Sequence, residues 1–329
     1  MTTSTTRRMA MAGALLIACA MHIPASAQAV NYPNRPVKVI VPFVPGGNAD
    51  STARIFAEAY SRRLGQPFVI DNRGGAGGMI GASQMARSEP DGYTLMMATT
   101  GPIVASWQLA GKAATYSLND MKAVALLSYV PGVIVVNANS AIKNYQDLAA
   151  YGKRNSEGLK FGHPGNGTAG HVNILQMQKA LSQKYIVVGY KGAGPAVQDL
   201  LGGQLDAVAT DLPSALQLIK GGKLRAIGVV FPTRVPSLPE VPTMIEVRQP
   251  EIDIAPFTAV MAPKALPQPL VDKLVEANNA ALADTTVRKR IEDIGGVPTK
   301  MSNPEFEKFL GRQTATYASL IQSGLLLAE

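Results

Sequence analysis

Short segments rich in valine and isoleucine alternate with helical patterns near the start of the chain, and this alternation limits the possible folds more than any other feature. The order is strand, helix, strand, helix, strand, with the segments at 37–41, 51–64, 68–70, 79–87 and 94–97. Alternation of this kind is typical of a parallel sheet flanked by helices. We therefore predict an α/β fold.

A second series of strands and helices begins after a long apolar stretch at 123–137. Pro131 and Gly132 interrupt this stretch, and a regular strand does not continue through such a pair. We predict that the chain crosses into a second domain there, since 329 residues suit about two domains. The predicted elements of the second unit are strands at 159–161, 185–188, 207–209 and 224–230 and helices at 168–181 and 196–201.

Proline is frequent between Phe231 and Pro269, which is typical of connecting chain. Within this segment, a strand at 258–261 is predicted to return to the first domain. An amphipathic helix follows, and a last helix follows Asn303-Pro304. The apolar face of the amphipathic helix is predicted to hold Leu270, Leu274, Val275 and Leu282.

A double crossover predicts two α/β lobes that form a hinged cleft, an architecture that closes around small ligands. The predicted boundaries place residues 30–131 and 254–329 in lobe I and residues 132–253 in lobe II. Open α/β sheets bind ligands at the carboxyl ends of their strands, so the loops that follow the predicted strands form the candidate site.

The first residues have the organisation of an export signal. Arg7 and Arg8 precede an apolar run, and Ala25-Ser26-Ala27 has the pattern of a signal peptidase site. We predict a signal peptide at 1–27 that is cleaved near Ala27. Two alternatives stay open: lipidation of Cys19 within a lipoprotein-like box, and twin-arginine export through the arginine pair.

Composition excludes several classes of function. Cleavage after Ala27 removes the only cysteine, so the mature chain has neither disulfide nor thiol chemistry. The net charge is +8, but the cations are scattered and aromatic residues are only 6%, whereas nucleic-acid binding usually needs a clustered basic stripe. We expect no nucleic-acid partner. The charge indicates either a field that favours small anions or a solvated basic surface.

The segment from Phe43 to Asp50 joins the first predicted strand to the first predicted helix. The free N–H groups of a helix start lie there, which makes the segment a natural anion site. Gly46 and Gly47 would allow close backbone approach to a ligand, and Asp50 could cap the helix. A tight turn capped by Asp50 is the purely structural alternative.

The segment from Gly162 to His171 repeats this arrangement after another predicted strand. It also fits the G-x-G-x-x-G pattern of dinucleotide-binding proteins at Gly165, Gly167 and Gly170. That pattern needs an acidic residue about 20 residues further on, and the region around Val188 offers none. We therefore predict an anion site and no cofactor.

Other glycine-rich or polar loops follow the remaining predicted strands. They lie at 71–78, 190–195 and 210–213. In the first of them, Arg73 could face an anion or pair with a carboxylate. All three loops are at carboxyl ends of strands, where they could contribute to the same site.

Enzyme signatures are weak. The sequence has no G-x-S-x-G elbow, no Walker loop and no H-E-x-x-H motif. His163 and His171 lack the carboxylate or cysteine neighbours of a metal site, so we expect no metal and no catalytic residue. An exported hydrolase or isomerase that uses Asp50 or Asp211 with a histidine stays the alternative, as does a ligand-dependent sensor accessory protein.

Several motifs occur in a characteristic order from Tyr32 to the C-terminal region. They are Y-P-N-R-P-V-K-V-I-V-P-F at 32–43, P-G-G at 45–47 with Asp50, N-R-G-G-A-G-G at 72–78, P-D-G-Y-T-L at 90–95, Y-K-G at 190–192 and A-P at 262–263. In this combination the chain resembles the Bug family, the periplasmic solute receptors of tripartite tricarboxylate transporters.

The resemblance implies a two-lobed periplasmic binding protein fold of type II, the Venus-flytrap architecture, in which each lobe is a mixed, mostly parallel sheet flanked by helices. It implies a periplasmic protein that captures a small mono-, di- or tricarboxylate in the interlobe cleft. The expected partners are this carboxylate, the membrane permease subunits of the transporter and, as a further class, a sensor ectodomain.

The resemblance also implies where the ligand binds. In the family, one ligand carboxylate is held by backbone amides and bridging waters from the loops that match 43–50 and 162–168. The chain departs from the family at Phe257-Thr258-Ala259, where relatives often have Trp-Phe/Tyr-Gly, a change at the pocket wall or the lobe contact. Residues 99–102 occupy a variable cleft loop in the family, so ligand identity is not carried over. The predicted ligand-binding residues are Phe43, Pro45, Gly46, Gly47, Asp50, Thr100, His163, Gly165, Asn166, Gly167, Thr168, His171, Tyr190, Lys191 and Asp211.

Overall fold

A computed structural model describes residues 32–154 and 158–327. The predicted signal peptide, its cleavage site and Cys19 lie outside the described residues. The described strands are β1 (Val37–Val41), β2 (Phe68–Asn72), β3 (Thr94–Thr99), β4 (Met121–Tyr129), β5 (Gly132–Asn137), β6 (Leu159–His163), β7 (Tyr185–Gly189), β8 (Ala207–Asp211), β9 (Leu224–Val230), β10 (Phe257–Pro263) and β11 (Val297–Pro298).

The described helices lie mostly between consecutive strands, as the alternation predicts. They are α1 (Asn48–Leu64), α2 (Met79–Ala86), α3 (Ser106–Ala110), α4 (Tyr145–Arg154), α5 (Ala169–Leu181), α6 (Ala193–Leu201), α7 (Leu212–Lys220), α8 (Gln268–Ala283), α9 (Thr285–Asp293) and α10 (Asn303–Gln322). Among the described residues, no helix combines the length and apolar character that crossing a membrane requires.

The first sheet has six strands in the order β11-β4-β10-β3-β1-β2. β1 pairs in parallel with both β2 and β3, whereas β10 is antiparallel to β3 and β4. Buried side chains of the strands and of α10, such as Ile40, Met96, Phe257 and Phe306, form one core on this sheet. The strand predicted at 258–261 therefore does return to the first sheet, as β10.

The second sheet has five strands in the order β7-β6-β8-β5-β9. β6 is parallel to β7 and β8, and β5 is antiparallel to β8 and β9. Apolar cores cover both faces, one around Phe161 and Ile174 and the other around Val208 and Leu216. The predicted two-lobed α/β fold is confirmed, with a mixed sheet flanked by helices in each lobe. Among the described strands, four pairings are parallel and five are antiparallel.

The chain passes between the two sheets twice. β4 ends at Tyr129 in the first sheet and β5 begins at Gly132 in the second, while β9 ends at Val230 and β10 begins at Phe257 back in the first. The predicted break at Pro131-Gly132 thus coincides with one passage. The lobe boundaries at 131 and 253 stay a prediction.

Local predictions differ from the structure at some helices. α1 begins at Asn48 with Gly47 as its N-cap, so Asp50 lies in the first turn and is not the cap. In α8, Val271 is buried, whereas Val275 is only half-buried. α3, α4, α7 and α9 are helices that the sequence patterns did not predict.

Candidate ligand-binding site

A cavity lies between the two sheets, where the strands of both lobes end. With its mouth it encloses about 530 Å³. The residues that line it are Phe43, Val44, Gly47, Asn48, Ala49, Thr99, Thr100, Gly101, Pro164, Thr168, Ala169, Gly170, Ala193, Asp211 and Pro256.

Helix starts from both lobes meet at this cavity. Asn48 and Ala49 begin α1, Ala169 and Gly170 begin α5, and Ala193 begins α6. Asp211 is the N-cap of α7. N–H groups in the first turn of a helix have no intrahelical acceptor, and the helix dipole is positive at that end. The backbone at these helix starts therefore contributes a positive potential to the cavity.

Basic side chains do not contribute to this potential. Within the described residues, the lining contains neither lysine nor arginine, and its one ionisable side chain is Asp211. An anion bound here would be stabilised by backbone N–H groups and by hydroxyls such as those of Thr100 and Thr168.

Asp50, which is not part of the lining, holds the β1–α1 loop in place through hydrogen bonds. Its carboxylate accepts hydrogen bonds from the Gly46 N–H at 3.1 Å, from Asn72 Nδ2 at 3.1 Å and from both Arg54 Nε and Nη2 at 3.0 and 2.9 Å. Burial alone would raise the pKa of Asp50, but the hydrogen bonds from Arg54, Gly46 and Asn72 hold it below its ordinary value. Asp50 is thus a paired anion that fixes the loop.

Asn72 and Arg73 complete this support. Asn72 Nδ2 also donates to the Phe43 carbonyl at 3.1 Å, so β2 positions the loop that follows β1. Arg73 Nε donates to Asp71 at 2.8 Å on a half-exposed surface. Of the two alternatives for Arg73, the structure shows the pairing with a carboxylate.

Thr168 organises the β6–α5 loop on the opposite lobe. As the N-cap of α5, its Oγ1 accepts the His171 N–H at 3.4 Å and donates to the Gly165 carbonyl at 2.7 Å. Gly167 has a φ of +73°, and a Cβ there would lie 2.9 Å from both Ala105 Cβ and Leu109 Cδ1. Only glycine combines this backbone conformation with such close contact to the first lobe.

His163 and His171 stack beneath this loop, with ring centroids 4.3 Å apart and planes inclined by 10°. The Nδ1 atom of His163 accepts the Gly165 N–H, and that of His171 accepts the Gly167 N–H, each at 3.2 Å. Burial, together with the neighbouring His171 ring, lowers the pKa of His163 to about 3. The histidines support the loop and do not line the cavity.

A second, open cavity lies beside the first. It is lined by Gly165, Asn166, Tyr190 and Lys191 together with first-lobe residues that include Gly77. Gly77 in the first lobe lies close to Asn166 in the second. A Cβ at Gly77 would be only 2.7 Å from the Asn166 carbonyl oxygen. The Tyr190 hydroxyl donates to Asp199 at 2.7 Å.

The structure therefore divides the predicted site residues into groups. Phe43, Gly47, Thr100, Thr168 and Asp211 line the first cavity. Gly165, Asn166, Tyr190 and Lys191 line the second cavity. Pro45, Gly46, Asp50, His163, Gly167 and His171 are absent from both linings and build the loops around them.

Sequence reasoning missed several lining residues. Asn48, Ala49, Gly170 and Ala193 belong to first turns of helices, so the helix-start pattern was the available signal. Pro256 directly precedes β10, and no sequence pattern marked it as a lining residue. Its position at the cavity depends on the return of the chain to the first sheet.

The two lobes are joined by hydrogen bonds at the edge of the cavity. The Asn48 N–H donates to Ser214 Oγ at 3.2 Å, and Ser214 Oγ in turn donates to Asp211 Oδ1 at 2.6 Å. The start of α1 in one lobe is thus connected to the start of α7 in the other.

Residues 52–326 match the family described as the tripartite tricarboxylate transporter family receptor, TctC. The chain belongs to this family. The relative BugT of Bordetella pertussis is 33% identical over 318 residues, which cover 96% of this chain and 97% of BugT. The resemblance to the Bug family is therefore confirmed.

Solved structures similar to this TctC-family chain include a periplasmic binding protein and two proteins with bound dicarboxylates. The periplasmic binding protein BugD has a TM-score of 0.83 at 32% identity, covering 91% of this chain and 100% of BugD. MatC from Rhodopseudomonas palustris, with bound malate, has a TM-score of 0.83 at 29% identity, covering 88% of this chain and 100% of MatC. R. palustris Rpa4515 with adipate has a TM-score of 0.84 at 28% identity. The match covers 88% of this chain and 97% of Rpa4515.

These comparisons establish the general class of the protein. The TctC-family chain is a solute-binding receptor with a two-lobed periplasmic binding protein fold. The matched family is that of a transporter receptor and the similar structure BugD is a periplasmic binding protein, which together imply a periplasmic location.

Proposed function

We propose that this receptor captures a small carboxylate in the first cavity and delivers it to the membrane permease subunits of a tripartite tricarboxylate transporter. The observation that carries the proposal is the convergence of α1, α5 and α6 on a cavity whose described lining has no basic side chain. Such a lining suits an anion whose planar oxygens accept hydrogen bonds. A carboxylate is an anion of this kind.

Binding in this cavity replaces the water molecules that hydrate the carboxylate in solution. A carboxylate that leaves water needs new hydrogen-bond donors, and first-turn N–H groups supply them without the cost of ordering long basic side chains. Apolar residues such as Phe43, Val44 and Pro256 would cover the carbon skeleton. The bound malate of MatC and the adipate of Rpa4515 support a carboxylate as the ligand class here.

Release at the membrane requires that binding be coupled to lobe movement. A ligand that contacts both lobes favours the closed arrangement, in which Asn48 is bonded to Ser214. Opening of the cleft at the permease would break contacts to one lobe and lower the affinity. In this proposal no bond of the ligand is made or broken, so the carboxylate is released unchanged.

The periplasmic step requires export of the chain. In this proposal, the signal peptide at 1–27 directs secretion and is cleaved near Ala27, with lipidation at Cys19 as the alternative. Mass spectrometry of the protein from the periplasmic fraction separates these outcomes, because cleavage at either position leaves a different N-terminus and lipidation adds acyl mass.

Capture is tested by a thermal-shift screen of the mature protein, unfolded and refolded beforehand to remove any co-purified ligand. The acids are aliphatic mono-, di- and tricarboxylates, aromatic acids and amino acids. A ligand that binds only the folded state raises the melting temperature. A shift with one class of acid supports carboxylate capture, whereas no shift with any acid contradicts it.

Delivery is tested by reconstituting the permease subunits in vesicles and measuring uptake of the acid that gives the shift. Uptake should require the receptor and should stop when the receptor is omitted. Uptake that proceeds equally without the receptor would leave a binding protein with no role in this transporter.

A further inference from the structure

The one ionisable side chain in the described lining of the first cavity is acidic. Asp211 ends β8 and caps α7, and it is partly buried. A site that receives a carboxylate therefore already contains a carboxyl group of its own, and like charges in one cavity disfavour the ionised form of each.

The hydrogen bonds of Asp211 are unequally distributed between its oxygens. The Ser214 N–H donates to Oδ1 at 3.1 Å and Ser214 Oγ donates to the same atom at 2.6 Å. Both hydrogen bonds from Ser214 end at Oδ1, so Oδ2 receives neither of them. One oxygen is thus fixed by the helix start, and the other can accept a bond from a ligand.

The capping bonds favour the ionised carboxylate, because donors at Oδ1 and the dipole of α7 both stabilise negative charge. Burial acts in the opposite sense and raises the pKa of Asp211 despite the hydrogen bonds from Ser214. A donor from the ligand would compensate for the water that burial removes. It would also separate the ligand carboxylate from the carboxylate of Asp211.

We infer that the ligand of this cavity is a carboxylate that also carries a hydrogen-bond donor, an ammonium or a hydroxyl group, and that Asp211 accepts this donor. The inference rests on the proposed function, since it assumes that the carboxylate end lies at the helix starts. An ammonium group adds charge complementarity to the hydrogen bond. Affinity should therefore decrease from the amino acid to the hydroxy acid to the unsubstituted acid of the same skeleton.

Matched series of acids test the inference by isothermal titration. Each series has one carbon skeleton: succinate, malate and aspartate; glutarate, 2-hydroxyglutarate and glutamate; propionate, lactate and alanine; 3-phenylpropionate, phenyllactate and phenylalanine. In the series that binds, the substituted acids should bind on the order of tenfold more tightly than the unsubstituted acid, the difference expected of a hydrogen bond to a charged group.

Asp211→Asn is the decisive variant, because asparagine is an equally good N-cap but lacks the charge. The variant should lose the preference for the ammonium-bearing acid and should bind the unsubstituted acid at least as well as the wild type does. Asp284→Asn is the matched control, since Asp284 is the exposed N-cap of α9 and accepts N–H groups from Thr286 and Val287. It should leave the ranking unchanged.

The outcomes separate this inference from the function on which it rests. Equal binding of substituted and unsubstituted acids, or an unchanged ranking in Asp211→Asn, overturns the role of Asp211 while carboxylate capture stands. Failure of every acid both in these series and in the thermal-shift screen overturns carboxylate capture itself.

Discussion

The backbone N–H of Asn48 in α1 donates a hydrogen bond across the cleft to the hydroxyl of Ser214 in α7, at 3.2 Å. The same hydroxyl donates to Asp211 Oδ1. Ser214 therefore joins the two lobes and, at the same time, contacts the acidic residue of the cavity. One side chain thus makes both a bond between the lobes and a bond to the acidic lining residue.

Ser214→Ala should weaken ligand binding, because the closed arrangement loses this bond between the lobes. A net contribution of about 1 kcal/mol for such a hydrogen bond corresponds to roughly a fivefold loss of affinity. Isothermal titration with the best-binding acid measures the change. Ser323→Ala is the control, since Ser323 is an exposed serine whose hydroxyl donates to the Leu320 carbonyl. Equal affinities for both variants would mean that Ser214 has no role in closure.

Gly167→Ala should lower ligand affinity by interfering with contact between the lobes. The added Cβ would lie 2.9 Å from Ala105 Cβ and Leu109 Cδ1. The positive φ of Gly167 also makes alanine locally unfavourable, by ~1 kcal/mol. Gly203→Ala is the control, because Gly203 has a similar φ of +75° and therefore the same local cost. A Cβ at Gly203 would have no other atom within 4 Å. Titration should show a loss of affinity for Gly167→Ala alone, and similar affinities would refute the steric contact.

Asp50→Ala should destabilise the fold and loosen the β1–α1 loop. It leaves the Gly46 N–H without its acceptor and removes the partner of Arg54. Loss of a largely buried hydrogen-bonded anion costs about 1–3 kcal/mol, which a urea titration resolves. Glu276→Gln should cost much less, because the Arg63–Glu276 pair is exposed. An Asp50→Ala variant as stable as the wild type would show that the loop does not depend on this carboxylate.

Stability should fall in mild acid because of His163. In the unfolded chain this histidine takes up a proton near its ordinary pKa of 6.5, whereas burial in the folded protein lowers its pKa to about 3. The unfolded state binds more protons between these values, so the free energy of unfolding decreases as pH falls, by up to about 1.4 kcal/mol per pH unit for one group.

The His163→Asn variant isolates this effect. The Asn Oδ1 can replace Nδ1 as the acceptor of the Gly165 N–H, but it does not titrate. The variant should be less stable at pH 7 and should show a smaller loss of stability between pH 7 and pH 5, measured by urea unfolding. Parallel pH profiles for the two proteins would show that His163 is protonated equally in the folded and unfolded states.

The alternation of strands and helices was sufficient to predict the fold. β1 and β9 have the predicted bounds, and the strand predicted at 258–261 is part of β10. α4 was missed because Tyr145 and Leu148 are its buried residues, too few for a clear apolar periodicity. α7 was missed because Pro213 suggested a loop, although proline is well tolerated in the first turn of a helix.

The candidate site was predictable in part. Glycine-rich loops after strands indicated which segments approach the cleft, and Gly47 and Thr168 do line the cavity. The division between lining and supporting residues depends on contacts between distant segments, such as Asn48 with Ser214. Asp50 and His163 differ from their lining neighbours only through their tertiary partners, and local sequence patterns do not encode these.

The most direct test of carboxylate capture in this cavity is isothermal titration of the best-binding acid into the wild type, Gly47→Val and Gly311→Val. Gly47 lines the cavity with an ordinary negative φ, so valine there fills the site without backbone strain. Gly311 lies in α10 with open space around it and serves as the control. We expect saturable binding to the wild type and to Gly311→Val and none to a folded Gly47→Val. Wild-type affinity in Gly47→Val would contradict the assignment of the ligand to this cavity.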